Sequence, residues 1–194
     1  EEGYREGNKG HCHLLEFVCS RERHVTRGTF GAELFSACDV ADFAMLLACL
    51  LHQIKEGSMS PAAARRRREA GGWNVEIDLG IDAYSVFAAT TAGQVKAPAE
   101  KPLLSHVQYL RELLDRHILI NIGWIDTRDM ATDGLTKGAV DRTALHGIMD
   151  GEYQVVNKHQ LWKSKLGTSK FALAHLQGDY DEHLSSDDTS LPPA

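Results

Sequence analysis

A helix written as FGAELFSACDVADFAMLLACLLHQIKE, Phe30 to Glu56, leaves a chain few ways to fold. Its apolar residues recur around most of the circumference rather than along one stripe, so it has to be packed deeply. Thr29 stands where an N-cap is expected and Glu56 marks the end. Cover for such a helix must come from the rest of the chain. With 194 residues, 43% of them hydrophobic, there is enough material for one domain with a real core.

That cover reads as strands alternating with shorter helices. WNVEIDLGI alternates Trp73, Val75, Ile77, Leu79 and Ile81 against Asn74, Glu76 and Asp78, which is a strand period. ILINIGWI, Ile118 to Ile125, is an apolar run of the buried, parallel type. HCHLLEFVC, His11 to Cys19, reads as a further strand, followed by the basic turn SRERHVTR. Between the strands, a short helix is expected over 83–91. LSHVQYLRELLDR forms an amphipathic helix with Val107, Leu110, Leu113 and Leu114 inward. GSMSPAAARRRREAGG reads as a solvated connection, and helices are expected from about Thr127 and Asp141. This alternation predicts an α/β layer fold. Past Trp162, which can dock the last segment on the core, the chain turns polar and reads as a disordered tail over 164–194.

The charge balance narrows the function classes. A net charge of −6 argues against coating nucleic acid by bulk electrostatics but leaves room for a local basic groove. The four cysteines form no CxxC pair, and Cys38 and Cys49 fall in the apolar helix, as reduced thiols would. No signal peptide or long uninterrupted apolar run is evident, so no membrane span and an intracellular location are expected. The cluster HCH (His11 to His13) lacks a second ligand pair at zinc-finger spacing.

Three carboxylates stand in telling places. On the long helix, Glu33 shares a face with Phe30, Ala37, Val40, Ala41 and Ala44, so it needs a partner, a proton or a metal; Asp42 falls on the opposite, solvated side. A first-turn acid also gains from the helix dipole. Asp82 follows a strand directly and precedes a helix, the edge at which α/β folds gather their chemistry, and also an ordinary N-cap position. WIDTRDMATDGLTKG places Asp126, Asp129 and Asp133 near one face if it is helical. Asp126 or Thr127 can cap and Asp129 lies in the positive first turn, so Asp133 is the one that needs a cation. Gly134 beside it allows close approach of a backbone or ligand. Three such acids from separate elements make an oxygen-rich site suited to Mg²⁺, of the kind that hydrolyses phosphodiesters with two metals.

RHVTRGTFGAELFSACD, IDAYSVFAA and IDTRDMATDGLTKGAVDR together resemble the C-terminal ribonuclease H domain of copia-type retrotransposon Pol polyproteins. The resemblance covers about Lys9 to Asp150 and implies a mixed five-stranded sheet flanked by helices, an RNase H-like fold. It implies a hydrolase that cleaves the RNA strand of an RNA–DNA hybrid with Mg²⁺, Mn²⁺ being able to substitute. The reverse transcriptase domain of the same polyprotein is the implied partner. The implied location is the cytoplasm, a retroelement particle or the nucleus. Glu33, Asp82 and Asp133 fall on the family's catalytic, metal-binding positions. Arg21, Arg23, Arg27 and Lys137 are candidate nucleic-acid contacts, with Arg65 to Arg68 as a second basic run.

The match has departures. The family's first catalytic aspartate lies on its first strand, ahead of two hairpin-connected strands central to the sheet. Here ten residues precede His11, too few for two strands and a turn. The chain therefore reads as a leader over 1–10 and an incomplete RNase H-like domain over 11–163, inactive as isolated. Ala83 stands where the family has asparagine, and Gly28 where it has serine. The alternative is a degenerate, non-catalytic structural or nucleic-acid-binding module. His106 and His117, flanking the amphipathic helix, read as surface residues.

Overall fold

A computed structural model describes residues 9–18, 26–70, 72–94, 98 and 100–163. All belong to one compact unit, Glu1–Ser164. The calls for phosphate contact at Arg21 and Arg23 and for a tail over 164–194 lie outside these residues, as do all but the last two residues of the leader expected over 1–10.

The fold is mixed α/β. Its centre is α1 (Thr29–Glu56), 28 residues long as the sequence predicts. Gly28 rather than Thr29 is its N-cap, extended and without a side-chain capping bond, so the expected threonine cap is replaced by bare backbone. One face buries Leu34, Ala37, Cys38, Ala41, Met45 and Ala48, whereas Val40, Phe43, Leu46, Leu50 and Ile54 are exposed. By length and composition α1 could cross a membrane, contrary to the reading that no such run exists. Its inward face is nonetheless part of the core.

After α1 the Arg-rich connection is itself helical: α2 (Pro61–Glu69) starts with Ser60 Oγ accepting from Ala63 N at 3.2 Å and Pro61 in the first turn. The sequence reading missed both start signals. Then come β2 (Asp78–Ile81), α3 (Tyr84–Thr91), α4 (Leu104–Asp115) and β3 (Asn121–Ile125). β2 and β3 pair in parallel from Asp78↔Asn121 to Ile81↔Trp124, and Leu79, Ile81, Ile122 and Ile125 are buried. The strand is shorter than WNVEIDLGI suggested, since residues 73–77 pair with nothing regular beyond the Ile77 carbonyl, which accepts from Ile120 N. α4 buries Val107, Leu110, Leu113 and Leu114, the four positions its period assigns inward.

Beyond β3 lie a 3₁₀ turn (Thr127–Asp129), the one-turn helix α5 (Asp133–Thr136) and α6 (Thr143–Met149). β4 (Glu152–Tyr153) pairs antiparallel with β1 (Gly10–His11), and β5 (His159–Lys163) pairs antiparallel with β3. The sheet order is β2-β3-β5, with one edge of β2 unpaired among the described residues. Trp162 on β5 is partly buried against the core. Of the strand expected over 11–19 only His11 pairs, within β1: residues 12–18 have no pairing strand, Leu14, Leu15, Phe17 and Val18 are exposed, and Cys19 lies outside the described residues. Alternation of side chains cannot hold a strand without a neighbour to take its backbone bonds.

Candidate active site

The sheet delivers Asp82 to the carboxyl end of β2, one residue past the strand. The cap of α3 is Ala83, with no side-chain capping bond, so the Asp82 carboxylate is not spent on the helix start as the N-cap reading would have it. Its carbonyl accepts from Trp124 Nε1 on β3 at 2.9 Å, which fixes the loop against the neighbouring strand. Between the two strands, Asn121 Nδ2 donates to Asp78 Oδ1 at 2.6 Å inside the sheet.

Glu33 comes from the first turns of α1. It is exposed, not buried on an apolar face: of its expected companions only Ala37 and Ala41 are buried, and Val40 faces outward. Partial burial raises its pKa above the usual glutamate value, and the charges of Asp82 and Asp133 raise it further while that of Lys137 lowers it. Glu33, Asp82, Asp133 and Lys137 thus share one electrostatic neighbourhood, built from α1, the β2–α3 junction and α5.

Around Asp126, Asp129 and Asp133 the backbone is not one helix, so the three do not share a face. Asp126 caps the 3₁₀ turn, accepting from Arg128 N at 3.0 Å and forming a two-pronged pair with the Arg128 guanidinium at 2.8 and 2.9 Å. These bonds hold its carboxyl down at about 2. Asp129 turns inward and is bonded by Val156 N (3.1 Å), Asn157 N (2.6 Å) and Asn157 Nδ2 (2.9 Å). It staples the chain beyond β4 to the end of β3, a role its local sequence does not signal because its partners are 27 and 28 residues away. Asp133, buried at the start of α5, has its cation: Lys137 Nζ stands 2.7 Å from Oδ2, one helical turn on.

Arg142 braces this corner, its Nε donating to Gly134 O at 3.1 Å and its Nη2 to Gly138 O at 3.4 Å. Close approach at Gly134 comes from inside the protein, since an added Cβ would lie 3.0 Å from Leu145 Cδ2. Sequence reading overlooked Arg142, which has no motif of its own. The other candidates are dispersed. Arg27 is exposed, and on α2 Arg65 pairs with Glu69 while Arg67 donates to Asn74 Oδ1. His106 is half-buried edge-on to Phe35, with centroids 4.7 Å apart, and His117 is a half-buried residue of positive φ ending α4, so neither is the plain surface histidine expected. Among the described residues, Cys12, Cys38 and Cys49 are free thiols, and burial pushes the Cys38 thiol up to about 12.

Chemically, the site offers hard oxygen donors. Lys137 contacts Asp133, while Asp82 and Glu33 act on it only through their charge, and three carboxylates against one ammonium are donor types suited to a divalent cation of the Mg²⁺ class. As they stand, among the described residues no three such side chains are gathered as a ligand set. Lys137 holds the Asp133 oxygen that a metal would take. The residue types fit the ion. No family model, curated protein or solved structure matches the chain.

Proposed function

We propose that this chain is the RNase H-like portion of a copia-type retroelement polyprotein, directed at the RNA strand of RNA–DNA hybrids. The observation that carries the reading is the shared electrostatic neighbourhood of Glu33, Asp82 and Asp133. These acids come from three separate elements, and Asp82 stands at the carboxyl end of β2, the kind of edge where α/β folds gather ligands. Among the described residues no strand pairs with the side of β2 away from β3, which agrees with a sheet that takes further strands there.

In this reading each element has a task. Asp82 is set by β2 and by the Trp124 bond to its carbonyl. Asp133 is held by α5 and the Arg142 brace. Glu33 comes from α1, its pKa raised by partial burial and by the charges of Asp82 and Asp133. When bound, Mg²⁺ would supply an activated water and neutralise the leaving oxygen of the phosphodiester. The described residues provide three carboxylates, while the resemblance implies a further aspartate on a strand ahead of His11. In this reading the three described acids are not expected to suffice for cleavage without that aspartate.

The test is cleavage of an end-labelled RNA–DNA hybrid in Mg²⁺ or Mn²⁺ by this chain and by the same chain preceded by a hairpin carrying the missing aspartate. No cutting by the first, cutting by the second, and its loss in Asp133→Asn are expected. Failure of the extended chain to cut would favour the degenerate, non-catalytic module.

A further inference from the structure

We propose that the Lys137 ammonium is a tethered cation that competes with divalent metal for Asp133 and so sets the metal concentration at which the site fills. The inference rests on the metal-site reading above and adds a residue that acts on it.

The geometry supplies both the hold and the release. Lys137 Nζ is 2.7 Å from Asp133 Oδ2, a charge-assisted contact. Its backbone is fixed, with Lys137 N bonded to Asp133 O at 2.9 Å and Arg142 Nη2 donating to Gly138 O next door. The side chain is therefore anchored at one end and has one carboxylate to fold back on. The exposures are unequal: the Asp133 side chain is 13% exposed and that of Lys137 is 51%. Asp133 cannot leave the site, whereas the lysine can swing into solvent on its four-carbon stem without disturbing the core. Asp82 and Glu33 also act on the ammonium, so it compensates the whole cluster and not one partner.

A divalent cation on Asp133 and an ammonium on the same carboxylate repel each other, so the two occupancies exclude one another. Binding of metal must expel Lys137, and the cost of that exchange appears as weakened metal affinity. Replacing the ammonium by an uncharged chain of similar length removes the competitor and leaves the carboxylates unchanged.

The experiment is Mn²⁺ binding, read from the free-ion electron paramagnetic resonance signal, for the wild type, Lys137→Met and Asp133→Asn. About tenfold tighter binding in Lys137→Met is expected, with loss in Asp133→Asn. Equal, measurable affinities in wild type and Lys137→Met would overturn the competition and leave the metal site standing. No Mn²⁺ binding by either protein would overturn the metal-site reading, and the competition with it. A second readout needs no variant beyond assignment: on Mg²⁺ titration the Lys137 ε-methylene NMR signal, assigned with Lys137→Arg, should move to the position of solvated lysines. A Lys137 signal that stays fixed while the Asp133 carboxylate signal moves would likewise overturn the proposal.

Discussion

Asp129 and Asp133 are both buried, lie four residues apart, and are held in opposite ways. Two main-chain N–H groups, unable to move without the backbone, and the Asn157 side-chain amide hold the first. The second is held by the tip of a half-exposed lysine. Fixed dipoles make a carboxylate part of the architecture, because leaving them unpaired would be costly. A mobile ammonium neutralises a carboxylate without committing it, so the acid stays available to a stronger cation. The kind of partner, more than burial, separates the structural acid from the candidate catalytic one.

The largest effect should come from breaking the fixed case. Asp129→Ala strips the Val156 and Asn157 N–H groups of their acceptor and frees the link between β3 and the segment after β4. A loss of about 2–4 kcal/mol in urea unfolding is expected, the range for buried donors left unpaired. Mg²⁺ should not restore it. A loss below about 0.5 kcal/mol, the level of an ordinary surface change, would show that the staple contributes little.

Asp133→Asn tests the mobile case. Its partner is half-exposed, so solvent screens the pair and removing it should cost less than about 1 kcal/mol. The amide keeps the size and the oxygen but not the charge, so the rise of Tm with Mg²⁺ expected of the wild type should vanish. A variant that loses as much stability as Asp129→Ala would erase the distinction between the two acids.

How far the sequence foretold this contrast depends on how local each partner is. Asp133 and Lys137 are one turn apart, and the need of Asp133 for a cation is legible from its place beyond the first turn. Asp126 as a cap is legible for the same reason, its bonds reaching two residues on. Asp129 does stand in the first turn as expected, but its bonding partners arrive from 156 and 157 through tertiary folding, which no local pattern signals. The same division runs through the fold. Periodicity placed α4 and its four inward residues, and the strand character of Leu79 and Ile81. It could not say which side of α1 would be covered, since Phe43 and Leu46 look as apolar in sequence as Leu34 and Met45. The strand read over 11–19 was overstated, since residues 12–18 have no neighbouring strand to pair with. β5 went unseen because HQLWK is short and polar at its start, and its support is the register with β3.

His52 supplies the third case, a buried titratable group whose ring Nδ1 has neither kind of partner among the described residues. It is 3% exposed on α1, its Nδ1 has no hydrogen-bond partner, and its ring lies 6.0 Å from that of Trp73. Burial lowers its pKa below the usual histidine value, the Arg67 and Lys55 charges lower it further, and Glu56 opposes them. In the unfolded chain the imidazole takes up a proton near pH 6.5, whereas in the fold it stays neutral to lower pH. The unfolded state then binds more protons, so this residue makes stability fall as pH drops below about 6.5 and leaves it unaffected above. Urea midpoints at pH 7 and pH 5 for the wild type and His52→Gln isolate the contribution, the carboxylates being common to both. The wild type should lose more between the two pH values than the variant, by a margin smaller than either aspartate effect. Parallel losses would mean that the buried imidazole finds a partner after all, and that an unpartnered group in this core is as quiet as a partnered one.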